Sequence, residues 1–170
     1  MTRPPASAGR AAGPIFASVT DRDPHPPSTS PDDAPTRPPP SVSEVVQAFE
    51  ERRIVGSSLS HREHVMIGWH YARTRPAPQA LAELARGIQE LAVALGKDGL
   101  YHETLTWAWF ALIRERVERV GTEASWEEFA TASEDLLSGA AIAALYDRET
   151  LDSPLARRVF LLPGREADGQ

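Results

Sequence analysis

Three histidines in this chain could share one task. His61 and His64 stand three residues apart, and His102 is followed directly by Glu103. Imidazoles at i and i+3 lie on one helical face and can both reach a single metal ion, and His102 with Glu103 could complete a mixed imidazole and carboxylate sphere around zinc, iron or manganese. In that arrangement Glu103 is ligand or base and Thr106 supports the sphere from behind. The same residues allow a metal-free alternative, in which a neutral His102, paired with Glu103, Tyr101 or Tyr71, acts as a general base in a pocket between helices. A third reading needs no ligand: His61, His64, His102, Thr106 and Glu103 satisfy one another and nearby helix ends as a buried polar cluster.

The elements that must position these residues read as helices. Ser41 or Ser43 can cap a first helix carrying Val42, Val45, Val46 and Phe49, ending before Gly56. Ser60-His61-Arg62-Glu63 is a capping box, and the helix it opens runs to about Arg73, because Pro76 and Pro78 disfavour continuation. Gln79 to Leu95 repeats Leu81, Leu84, Ala85, Ile88, Leu91, Ala92 and Leu95, a helical stripe stopped by Gly96 and Gly99. A long helix is expected from about Leu100 to Val120, and the box Ser125-Trp126-Glu127-Glu128 opens another through about Leu137. A short Ala-rich helix to Tyr146 follows Gly139, and Ser153-Pro154 opens a last one through about Phe160. With no alternating β pattern, no repeats and short loops, the fold class is all-α, a bundle of about five to seven helices.

On these helices His61 and His64 share the inward stripe of Val65, Gly68 and Ala72, whereas His70 falls on the opposite, solvated face with Glu63 and Thr74. His102 sits in the stripe of Trp109 and Ile113, with Thr106 one turn on. Two helices thus present imidazole near the N-terminal end of a buried face, where the helix dipole disfavours the imidazolium and keeps the ring neutral.

Composition bounds the rest. Of 15 prolines, 11 lie in residues 1–41 among Ser, Thr, Gly and Asp, so this stretch is expected to be a disordered tail ending in an extended Pro38-Pro39-Pro40 spacer. It could serve as a ligand for an SH3-like partner. Residues 42–163 form the single helical domain and 164–170 a flexible end. The tail's four Arg and four Asp cancel, which puts the whole net charge of −6 on the domain. That balance argues against nucleic acid and anionic membrane as partners and leaves a small molecule or a protein. The absence of cysteine excludes disulfides, thiolate zinc sites and thiol nucleophiles, and no apolar run approaches a membrane span or a signal-peptide core. The expected location is the cytoplasm. No phosphate loop, dinucleotide fingerprint or nucleophile elbow is present, and the four tryptophans with Tyr71 and Tyr101 read as core anchors or as the lining of a small-molecule pocket. Arg114, Arg116 and Arg119 are spaced to pair with Glu115 and Glu118 along one helix. Arg157 and Arg158 stand where the dipole of the last helix favours cations.

The runs SHREHVMIGWHYARTRP, LYHETLTWAWFALIRER and LYDRETLDSPLARRVFLLP resemble a family of small bacterial helical proteins of uncharacterised activity. That family carries His-x-x-His-Val/Leu at the start of one helix, Tyr-His-Glu-Thr-Ile/Leu-Thr at another, and Ser-Pro-x-Ala-Arg near the C-terminus. Here these fall on His61 and His64, on Tyr101 to Thr106, and on Ser153 to Arg157. The resemblance covers most of residues 58–163; its middle motif is specific and its first is loose. Family members often continue with a Pro-Asp step where this chain has Pro163-Gly164. The resemblance implies an all-helical fold and adds weight to the same histidines, and it supplies no reaction, substrate or cofactor.

Overall fold

The computed structural model describes residues 39–54 and 59–164. Apart from Pro39–Ser41, the Pro-rich tail lies outside the described residues, as do residues 165–170. Among the described residues there are nine α-helices and no strand. They are α1 (Val42–Glu50), α2 (His61–Thr74), α3 (Ala77–Ala94), α4 (Glu103–Val120), α5 (Trp126–Thr131), α6 (Glu134–Ser138), α7 (Ala140–Ala143), α8 (Arg148–Asp152) and α9 (Pro154–Arg158), with one 3₁₀ turn at Asp98–Leu100. The all-α bundle expected from the sequence is the observed architecture.

Helix starts follow the expected chemistry. Ser41, Ser60 and Ser125 each accept from the amide three residues on, and Glu44, Glu63 and Glu128 reach back to the cap amides, giving three reciprocal boxes. Stops at Gly96 and Gly139 use φ of 65° and 81°, values that cost other residues free energy.

The count exceeds five to seven because one expected helix splits and because α8, opened by the Asp147 cap, falls in a stretch read as a connection. The helix expected through Leu137 breaks at Ala132–Ser133 into α5 and α6, where the buried Ser133 starts a new turn. The last helix stops at Arg158 rather than Phe160, since Val159 is extended (φ −136°, ψ 155°). α1 ends at Glu50, and Arg52 turns the chain with φ 59°.

α2 is the central element, packed against α1, α3, α4 and α6. Its buried side chains Val65, Met66, Ile67, Trp69, Tyr71 and Ala72 occupy more than one face, so the helix is enclosed rather than amphipathic. Close approach to α4 requires the missing side chain of Gly68: a methyl group there would come within 2.7 Å of the Cδ1 of Ile113. Each fully buried Ile, Leu or Phe contributes about 1.5–3 kcal/mol from removal of apolar surface from water, and Phe49, Ile67, Leu136 and Phe129 all have at most 1% of their surface exposed. Three of the four tryptophans (Trp69, Trp109, Trp126) are buried core anchors; Trp107 is exposed. Arg114 and Arg119 pair along α4 with Glu118 and Glu115 as their spacing predicts. Arg116 departs from that pattern and makes a two-pronged contact with Asp135 at 2.9 Å on each arm, which ties α4 to α6.

Candidate functional site

The two N-terminal turns that carry the histidines are built differently. At α2 the serine box does the capping: the Glu63 carboxylate accepts from the Ser60 amide and hydroxyl, both at 2.6 Å, and this buries a side chain that periodicity had placed on the solvated face. The histidines of this turn are then spare. Nδ1 of His64 donates back to the carbonyl of Ser60 at 3.0 Å, while Nε2 of His61 donates across to the carbonyl of Leu136 on α6 at 2.8 Å. The His61 ring also lies against Trp109, with centroids 4.7 Å apart. Its Nδ1 is buried and has no hydrogen-bond partner among the described residues.

At α4 no serine precedes the helix, and His102 is itself the cap. The long helix begins at Glu103, three residues later than the periodicity suggests, so His102 stands just outside the helical face on which the sequence places it. Its Nδ1 accepts the amide hydrogen of Leu105 at 3.2 Å, and the neutral ring must therefore carry its proton on Nε2, which donates to the carbonyl of Leu151 at 2.8 Å. Both nitrogens are in use, one closing the helix end and the other fastening α8 to α4. Thr106 turns the other way and donates to the carbonyl of His102 at 2.9 Å.

Burial pushes the pKa of all three histidines below the ordinary imidazole value. For His64 it falls to about 3, with burial the main cause, the carbonyl of Ser60 opposing and His61 nearby adding to the fall. For His61 burial outweighs the carbonyl of Leu136. For His102 burial outweighs the carbonyl of Leu151, with Arg157 lowering the value further and Asp152 opposing. The rings are neutral at pH 7, as the sequence argument requires for a ligand or a base and equally for a cap. His70, expected to be solvated, is half-buried beside Tyr71, and burial lowers its pKa too.

Glu103 does not pair with His102. Its two oxygens accept from the Tyr101 hydroxyl at 2.7 Å and the Trp107 indole at 2.8 Å. Burial and this carboxylate hold the Tyr101 phenol strongly protonated. Tyr71 faces Glu50 and Arg75 instead of His102.

The coordination sphere expected from His61, His64, His102 and Glu103 is thus not gathered. Among the described residues no three His, Asp or Glu side chains are grouped to share an ion. The physical reason is local: His102 spends its lone pair on a helix cap, and Glu103 faces two aromatic donors. What is brought together is the pair His61 and His64 at the start of α2.

Two residues that sequence reasoning left without a role are prominent here. Thr104 is fully buried; its hydroxyl donates to the carbonyl of Val159 at 2.8 Å and accepts the amide hydrogen of Leu161 at 3.1 Å. The Tyr146 hydroxyl donates to the carbonyl of Leu161 at 2.7 Å. Periodicity puts Thr104 on the side of α4 away from the His102 stripe, a face that reads as solvated unless something folds over it. The only sequence signal was a threonine inside the specific Tyr-His-Glu-Thr run. No family model matches the chain, and comparison with curated proteins and with solved structures finds no match.

Proposed function

We propose that this chain is a non-enzymatic helical binding module whose histidines fasten the fold. The observation that carries the reading is His102, whose two ring nitrogens are both committed, to the Leu105 amide and to the Leu151 carbonyl. A general base needs an available lone pair, and so does a metal ligand. Recruiting His102 to either task would uncap α4 and release α8. The exposed apolar side chains of Leu155, Val159 and Leu162, close together in sequence after α8, and that of Trp107 are of the type such a module presents to a protein partner. The reading takes the cytoplasm as its setting, from the lack of cysteine and because no helix among the described residues is long and apolar enough to cross a membrane.

One observation favours a second reading. The buried Nδ1 lone pair of His61 would accept a donor or coordinate an ion, and His61 is close enough to His64 to lower that ring's pKa. A divalent metal or small ligand would then be held at the start of α2, without His102 and without Glu103 as base.

Elemental analysis of the untagged protein, purified without chelator, separates the two. The module reading predicts no stoichiometric zinc, iron or manganese and no uptake when those ions are added. Near-stoichiometric metal that disappears in a His61→Ala variant and persists in His102→Asn would replace it with the second reading. Metal lost from both variants would restore the three-histidine site.

A further inference from the structure

His61 and His64 stand outside the capping of α2, and both rings are oriented in the same way. A carbonyl oxygen only accepts, so Nε2 of His61 carries the proton given to Leu136, and Nδ1 of His64 the proton given to Ser60. In a neutral imidazole the lone pair then falls on the other nitrogen, Nδ1 of His61 and Nε2 of His64. A ring with one nitrogen fixed on a main-chain carbonyl and the lone pair on the other has the outer-sphere arrangement that orients metal-binding histidines. The two residues are three apart on α2, which sets their Cβ atoms about 5–6 Å from each other. His102 differs, because its lone pair is already spent on the Leu105 amide.

The surroundings decide which ion the pair suits. His64 is 4% exposed, Nδ1 of His61 is buried, and the His61 ring lies against the buried side chain of Trp109. The nearest carboxylate in sequence, Glu63, accepts twice from Ser60, and among the described residues no third His, Asp or Glu joins the two rings. Zinc takes four ligands, and magnesium, calcium or manganese six, with carboxylate or water completing the sphere. Desolvation rises with the square of the charge, so a divalent ion between two neutral rings costs about four times what a monovalent one does. A soft monovalent ion such as Cu(I) is satisfied by two nitrogen ligands in line and brings a single charge.

We propose that His61 and His64 form a two-coordinate site for a soft monovalent metal ion of the Cu(I) type, bound through Nδ1 of His61 and Nε2 of His64. The proposal rests on the second reading, that an ion is held at the start of α2, and replaces its divalent ion with a monovalent one. The fastening by His102 takes no part in it.

Silver nitrate, a redox-inert monovalent probe, is added to the full-length chain in chloride-free buffer and followed by nitrogen-detected NMR of the histidine rings. Nδ1 of His61 and Nε2 of His64 are expected to shift together and to saturate at one equivalent, with both His102 nitrogens unmoved. Zinc is expected to bind there at least about a hundredfold more weakly than silver. In a His64→Gln chain whose α2 amides stay protected from exchange, silver binding at His61 is expected to weaken at least about a hundredfold, and in His102→Asn to stay unchanged. Silver taken up with both rings unmoved, or held as tightly at His61 by the folded His64→Gln chain, would overturn the pair. Zinc bound at the same two nitrogens as tightly as silver would overturn the monovalent assignment and leave the second reading standing. Neither ion shifting them would overturn both.

Discussion

α2 and α4 each carry histidine at or just before the first turn with a carboxylate close by, and the two histidines nearest the helix starts do opposite things. α2 is preceded by Ser60, the better cap, so His61 is released to cross to α6 and keeps a buried lone pair. α4 has no such residue before it, and His102 takes over the capping with Nδ1. The job of a buried histidine is therefore set by its neighbours' hydrogen-bonding capacity more than by its own chemistry. A functional role is compatible with the first arrangement and conflicts with the second.

Acid should break both arrangements at once and produce the largest effect. Burial lowers the folded-state pKa of His64 to about 3, against about 6.5 in the unfolded chain, so the unfolded chain takes up the proton first. Stability is complete above about pH 6.5 and declines as pH falls toward 3, and His61 and His102 shift in the same direction. Between pH 7.5 and 5, His64 alone should remove about 2 kcal/mol, read as a lower urea midpoint. A midpoint unchanged over that interval would mean that the rings are not buried neutral.

Next in size is His102→Ala, which leaves the Leu105 amide and the Leu151 carbonyl without partners and should cost about 2 kcal/mol. His102→Asn restores the cap but not the reach to Leu151, and should recover about half of that loss. Equal losses for the two variants would show that capping is not what His102 contributes. Smaller again is Ser60→Ala. It removes one cap from a helix enclosed by its neighbours and should cost about 1 kcal/mol, with His61 still bonded to Leu136. If the imidazole signals of His61 shift in Ser60→Ala, the two roles are coupled and the contrast between the helix starts is blurred.

Much of the architecture was legible because it rests on local chemistry. The boxes at Ser60 and Ser125, the apolar stripe through Leu84, Ile88 and Leu91, and the breaks at Gly96 and Gly139 are set by residues within one or two turns of each other. The site was half legible. Periodicity found that His64 and His102 are buried, but it carried the α4 wheel back through His102, and a residue one step outside a helix points elsewhere. The capping serines Ser41, Ser60, Ser125 and Ser153 announce themselves by residue type; a histidine acting as a cap does not. Thr104 was illegible because its face is covered by residues more than fifty positions later, which no local pattern can report.

The central claim, that His102 is a fastener, is tested most directly by nitrogen-detected NMR of the histidine rings in the full-length chain at pH 7. His102 is expected to be neutral, with its proton on Nε2 and Nδ1 accepting, and to stay so when zinc is added. A proton on Nδ1, or a zinc-induced shift of either His102 nitrogen, would contradict it and return that residue to the chemistry its sequence first suggested.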